Sequence, residues 1–350
     1  MTEAAVPSLA KGLGPLLPGI ALSAVVAIAS VLAEPVLKQF AGGRVGIPAV
    51  VIALVIGMVL HPVANTHRFA PGMTFCVKKL LRWAIALLGL RVALGDIIAL
   101  GLGTAVLVVV SMAVTVVTGF ALARLLGREP GVGALGGVAT AVCGASAALA
   151  TSTVVPDYRN EAADTAFTVI AMNVLATIAM LAYPLLCAWL GLSQQQTGVM
   201  LGATIHDVAQ VVGAGQAVSD EAANAAVIVK LFRVFLLLPA VLIVGWWLTR
   251  HGEAHGDAKV PVPVFAFVFL IMCVVNSVLS TQAGLAGIYL PIRDILLEVS
   301  RWGLLIAIAA LGLGTSIAAM ARLGWRHLAV VTGTSLVILV VATGGIILLG

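Results

Sequence analysis

The sequence predicts an all-α protein that crosses a lipid bilayer many times, and three observations carry that expectation. Hydrophobic residues make up 61% of the chain and charged residues 9%. A soluble domain carries roughly 25% charged residues, so this chain could not cover its surface with polar groups. Apolar runs of about 20 residues, the length that crosses the hydrocarbon core as a helix, follow one another from end to end. No run alternates with the period of a barrel strand, and lipid admits only helices or closed barrels because it leaves backbone groups unpaired.

In chain order the runs predict spans near 15–33, 46–61, 74–95, 102–124, 132–155, 164–190, 196–215, 222–249, 261–280, 284–320 (as one helix or two) and 327–349, about eleven transmembrane helices in a single membrane unit over 1–350. Lys11 precedes the first run, Leu16 to Ala33, which is longer than the about 7–15 residues of a signal-peptide core; an uncleaved first span is expected. With the N-terminus cytoplasmic, the inner loops hold Arg68, Lys78, Lys79, Arg82, Arg124, Arg128, Arg250, Lys259, Arg322 and Arg326. The outer loops hold fewer cations, Lys38, Arg44, Arg159, Arg293 and Arg301. That bias supports an orientation with the N-terminus inside.

The same placement excludes other classes. The net charge of +5 comes from residues that punctuate apolar segments rather than from basic runs with interleaved aromatics, so no nucleic acid is expected as a partner. Cys76, Cys143, Cys187 and Cys273 are far apart and read as small apolar core residues. His251 and His255 in the polar connection RHGEAHGDAKVP have metal-like spacing, but Gly252 and Gly256 disfavour a helix there, so neither a metal nor a cofactor is expected. No H-E-x-x-H, G-x-S-x-G or phosphate-binding glycine loop occurs, which argues against an enzyme.

Two self-similarities suggest internal duplication. CGASAALATSTVV (143–155) aligns with LGATIHDVAQVVG (201–213), and AFTVIAMNV (166–174) with AVIVKLFRV (226–234). Further apart, LLGLRVALGDIIALG (87–101) aligns with ALGLGTSIAAMARLG (310–324). The first pair lies two predicted spans apart, which would make its members parallel. An inverted repeat demands an odd number, so either one segment is re-entrant or the span count is wrong.

Ionisable groups within the bilayer cost about 2.5–3.5 kcal/mol each on the insertion scale and mark function by default. Arg91 and Asp96 lie near a span end and read as snorkelling or capping groups. His206, Asp207, Lys230 and Arg233 do not. On a helix, His206 and Gln210 share a face and Asp207 points elsewhere. Asp207 then needs a partner on another helix, and Lys230 and Arg233, three residues apart, supply candidates, with an Asp207–Arg233 structural strut as the alternative. The hydroxyl-flanked glycines, Gly144 before Ala145 and Ser146 and Gly202 before Ala203 and Thr204, mark where helices could break, exposing N–H groups that attract an anion. Close helix packing is the alternative role for them. Thr151, Ser152 and Thr153 could add hydroxyls. Lys230 and Arg233 outweigh Asp207, so the cluster asks for an anion, with His206 able to take a proton during loading. On this reading Lys230→Ala or Arg233→Ala abolishes transport and leaves folding intact.

VCGASAALA (142–150), GATIHDVAQVVGAG (202–215), the K-x-x-R of KLFRVFLLLP (230–239) and LLRWAIALLGLRV (80–92) resemble the YeiH-type family of bacterial inner-membrane proteins, described as sulfate exporters and grouped with the cation/proton antiporter and anion transporter superfamily. Thr204 and Gly213 stand where Ser and Ala would be expected. The resemblance implies an inverted-repeat transporter fold with two broken helices. It also implies elevator movement of a core that includes 132–249 against a scaffold that includes 15–61 and 261–297 and dimerises. It implies export of sulfate or sulfite; from the glycine, hydroxyl and charge pattern, Gly144, Ala145, Ser146, Gly202, Thr204, Lys230 and Arg233 are expected to bind the substrate. Coupling to protons or sodium would fall to His206, Asp207 and Gln210. The competing expectation is a sodium/proton antiporter with Asp207 as cation ligand.

Overall fold

The computed structural model describes residues 14–40, 48–156, 158, 160–250, 264–315 and 325–349, and within them all regular structure is helical. Lys11, Arg44, Arg159, His251, His255, Lys259 and Arg322 lie outside the described residues. Among the described residues, six helices are long and apolar enough to cross a membrane: Leu17–Gln39, Gly101–Leu125, Ala163–Trp189, Asp220–Arg250, Gly287–Gly314 and Trp325–Leu349. Ala49–Ala64 and Val264–Leu279 are shorter apolar helices. The long helices turn apolar side chains outward, with Leu102 80%, Val117 67% and Trp189 81% exposed, as a lipid-facing surface requires.

The chain divides into two compact units, Met1–Gly95 with Val264–Ile317, and Asp96–Pro263 with Ala318–Gly350. The first unit holds α1 (Leu17–Phe40), α2 (Ala49–Ala64), α3 (Ala70–Phe75), a π-turn (Cys76–Leu80), α4 (Leu81–Leu88) and a 3-10 turn (Gly89–Arg91). Later in the chain it adds Val264–Leu279 and the long helix Ala283–Gly314. The run predicted at 284–320 is therefore one helix as far as Gly314. Its Ser300 hydroxyl donates to Ala84 O at 2.6 Å, and its Leu313 carbonyl lies 2.7 Å from His61 Nδ1. Arg91 closes the 3-10 turn, and Asp96 sits in the first turn of α5 (Leu94–Ala99), which leads into the second unit.

The second unit holds α6 (Gly101–Leu125), α7 (Pro130–Ala141), α8 (Ala145–Ser152), α9 (Glu161–Trp189), α10 (Gln194–Thr204), α11 (Val208–Gln216), α12 (Asp220–Phe235) and α13 (Leu237–Arg250). The two helices at 264–279 and 283–314 are α14 and α15, and Trp325–Leu349, which returns to the second unit, is α16.

Neither 132–155 nor 196–215 is a span. Each is a helical hairpin that turns back at its break. Gly131, at the start of α7, packs on Val155 and Tyr158, which follow α8, so the first hairpin leaves on the side where it began. Gly198 and Gly202 on α10 pack on Ala222 and then Ala226, so α10 runs parallel to α12. Gly215, at the end of α11, comes back to Ala223, so the second hairpin also returns. The 12 residues of α7 reach about 18 Å at 1.5 Å per residue, well short of a core about 30 Å thick.

Only α9 runs between the two hairpins, so they enter the second unit from opposite ends. The α12–α13 helix pair passes both: Ala222 lies at the base of the second hairpin, Lys230 at the tips, and Gly245 against Val154 at the base of the first.

Candidate functional site

The tips of the two hairpins meet. In the first, the helix ends at Val142 (φ −115°, ψ −87°) and restarts after Gly144 (φ +62°, ψ −121°), backbone that a side chain would strain. In the second, the break is Ile205–Asp207, with Ile205 at φ −69°, ψ 139° and Asp207 at φ −114°, ψ 148°. A Cβ built on Gly144 would lie 3.4 Å from both Cβ and the carbonyl oxygen of His206, which places one break directly on the other. Gly202 is not at a break. It lies within α10, where a Cβ would overlap the Ala226 carbonyl, so it permits close packing on α12.

Lys230 and Arg233, both fully buried, enter the crossing from α12 and meet backbone carbonyls. Lys230 Nζ donates to Val142 O (2.6 Å), Ile205 O (2.9 Å) and His206 O (2.6 Å). Arg233 donates from Nε to Ala141 O (2.9 Å), from Nη1 to Gly202 O (2.9 Å) and Ile205 O (3.1 Å), and from Nη2 to Thr140 O (2.7 Å). A neutral amine has only two N–H bonds, so three carbonyl partners define Lys230 as an ammonium. These are the carbonyls that α7 and α10 leave unpaired at their C-termini, where helix dipoles concentrate negative charge. The two cations therefore match the two negative helix ends and sew both tips to one helix.

The positive ends remain. α8 and α11 begin at the crossing, and neither Gly144 nor Asp207 provides a side-chain cap. Ala145 is half-buried and Ser146 exposed at the first turn of α8, and Asp207 is half-buried. The other hydroxyls considered from sequence are engaged by their own helices: Thr204 donates to Met200 O, Thr151 to Ala147 O, Ser152 to Leu149 O and Thr153 to Ala150 O. His206 lies in the break rather than on a helix, so it shares no helical face with Gln210. Its Nε2 is 2.9 Å from Ser335 Oγ on α16. His206 Nδ1 and both amide atoms of Gln210 are buried without a hydrogen-bond partner. All four cysteines are free and buried, with Cys143 in the first break.

A second polar cluster sits at the base of the first hairpin, and the sequence reading missed it. Arg128 Nη2 lies 2.9 Å from Asp164 Oδ1, and His327 Nδ1 lies 3.2 Å from the same oxygen. His327 Nε2 is 2.9 Å from Thr168 Oγ1, whose hydroxyl bonds Asp164 O. Burial first, then the Asp164 charge, pushes the Tyr158 phenol up from its ordinary value. The cluster ties the α6–α7 turn, α9 and α16 together. Its one sequence signal was Asp164, an acid four residues into an apolar helix. Among the described residues, no three His, Cys, Asp or Glu side chains converge as a metal site.

Paired helical hairpins inside a bundle of long apolar helices define an all-helical, multi-pass membrane protein. The family model described as conserved hypothetical protein 698 matches residues 18–331. The chain is 39% identical over 337 residues to the UPF0324 membrane protein TauZ of Paracoccus pantotrophus, covering 95% of each chain. It is 38% identical over 357 residues to a UPF0324 membrane protein of Rhizobium meliloti, covering 100% of this chain and 98% of the relative. With a UPF0324 membrane protein of Chlorobaculum tepidum it shares 35% identity over 333 residues, covering 94% and 89%. The chain belongs to the UPF0324 membrane protein family. No solved structure matches it.

Proposed function

We propose that the protein is a secondary transporter that carries a small oxyanion, sulfate or sulfite being the leading candidates, across the bacterial inner membrane at the meeting point of its two hairpins. One observation carries this reading. Of the four helix ends at the crossing, the two negative ones are matched by Lys230 and Arg233, while the two positive ones, at α8 and α11, have no side-chain cap. An anion supplies what those ends lack.

The substrate is then held by N–H groups around Gly144, Ala145 and Ser146 and at the start of α11. Gly202, Thr204, Lys230 and Arg233 shape the tips, and His206, Asp207 and Gln210 serve coupling to protons or sodium. Opposite insertion of the hairpins and the sequence likeness of 143–155 to 201–213 support an inverted duplication. The first-hairpin base of the second unit carries Arg124, Arg128, Arg250 and Arg326, whereas the other end carries Asp220 and Glu221. By the positive-inside rule the first hairpin opens to the cytoplasm. The second unit is read as the moving core and the first as a scaffold through which two copies pair.

The test is uptake of radiolabelled sulfate and sulfite into proteoliposomes, with and without a pH gradient. Saturable uptake is expected. Sodium-dependent proton flux with no anion movement would overturn this reading in favour of cation exchange at Asp207.

A further inference from the structure

The polar atoms at the second break also specify the protonation state of the ligand, an inference that rests on the oxyanion reading above. Ser335 donates its hydroxyl proton to Val331 O at 2.7 Å. Its oxygen can therefore only accept at its 2.9 Å contact with His206 Nε2. The proton of that bond belongs to Nε2, so the neutral imidazole presents Nδ1 as a bare lone pair. Nδ1 has no hydrogen-bond partner and His206 is 1% exposed. A buried acceptor with no donor is costly, about 1–3 kcal/mol, and calls for a group that brings its own hydrogen.

Gln210 repeats the pattern. It is fully buried, and neither its amide oxygen nor its amide nitrogen is bonded. The same hairpin shows what a glutamine at this position ordinarily does. Gln196, three residues after the N-cap Ser193 of α10, closes a capping box with it. Gln210 stands three residues after the N-cap Asp207 of α11 and closes none. Helical side chains lean toward the N-terminus, so its amide leans back to the break. The crossing thus offers donors, in the amide NH2 and the helix N–H groups, together with two acceptors, His206 Nδ1 and Gln210 Oε1.

We infer that the crossing selects an oxyanion that keeps a proton, such as hydrogen sulfite or dihydrogen phosphate, over a fully ionised dianion such as sulfate. A bare dianion accepts hydrogen bonds and donates none, so it would leave both acceptors unmet. A protonated oxyanion brings its own O–H, which meets one acceptor in hydrogen sulfite and both in dihydrogen phosphate, and the proton travels with the substrate.

The experiment is equilibrium binding to the purified full-length protein at one mildly acidic pH, where sulfite and phosphate hold a proton and sulfate does not. Wild type is expected to bind the two protonated anions at least about tenfold more tightly than sulfate, the discrimination that one unmet buried polar group produces. Gln210→Met, which keeps the side-chain volume and removes one of the two acceptors, should weaken the preference for the protonated anions at least about threefold, the remainder resting on His206 Nδ1. Equal or tighter binding of sulfate by wild type overturns the inference and leaves the oxyanion transporter standing, as does a preference that Gln210→Met leaves intact. Failure of wild type to bind any of the three overturns both. The wild-type comparison decides the matter by itself should Gln210→Met fail to fold.

Discussion

Replacing Lys230 with methionine tests whether the cations hold the hairpins or hold the substrate. Methionine keeps most of the stem volume, so little cavity forms, and the change is confined to three lost bonds, to Val142, Ile205 and His206 carbonyls. An orphaned buried acceptor costs about 1–3 kcal/mol. Removing one partner of a buried charged network costs about 3–5 kcal/mol. A loss of about 3–5 kcal/mol is therefore expected, a large share of the 5–15 kcal/mol typical of a domain. The four buried free cysteines provide the readout. A thiol-reactive dye gains fluorescence as the detergent-solubilised protein unfolds and exposes them, and the Lys230→Met midpoint should fall well below that of wild type. This reverses the expectation from sequence, under which folding stays intact. A variant that unfolds with wild-type protein yet no longer binds anion would refute the clamp and make Lys230 a direct ligand.

Gly144→Ala and Gly202→Ala should both impair the protein, for different reasons. At Gly144 the neighbours leave ordinary contact distances and the cost is backbone strain of about 1–3 kcal/mol. At Gly202 the new methyl strikes the Ala226 carbonyl and Val229 Cβ and pushes α10 off α12, so this variant should lose more stability than Gly144→Ala in the same unfolding assay. Asp164→Asn removes the charge shared by Arg128 and His327. It should lower stability by about 1–3 kcal/mol, less than Lys230→Met because Arg128 is partly exposed, while anion affinity at the distant tips stays within about twofold.

The polar residues buried at the crossing were legible from sequence because the membrane makes each of them expensive, and the break at Gly144 was legible because glycine marks it. The break at Ile205–Asp207 was not. No glycine or proline stands there, and the nearest glycine, Gly202, drew attention to the wrong turn. Tertiary contacts hold that break open, since Lys230 and Arg233 donate to carbonyls that a continuous helix would have paired internally. Hydropathy likewise reads a hairpin as a span, because both are apolar and about 20 residues long. The parity of the repeat was the only signal against it. The cluster of Arg128, Asp164 and His327 was hidden by its members lying near helix ends, where charge attracts no notice.

The stitching of the tips also constrains how the protein can be made. Each hairpin tip on its own carries bare carbonyls into hydrocarbon, and α12 on its own carries an ammonium and a guanidinium there. During synthesis the hairpins leave the ribosome before Lys230 does, so for a time their tips have no cations to meet. Insertion of this half of the chain must then be a joint event, with α12 leaving the translocon only as the waiting tips receive it. A truncation anywhere between Ser152 and Lys230 should yield a polypeptide that the membrane quality-control machinery degrades, rather than a smaller stable bundle.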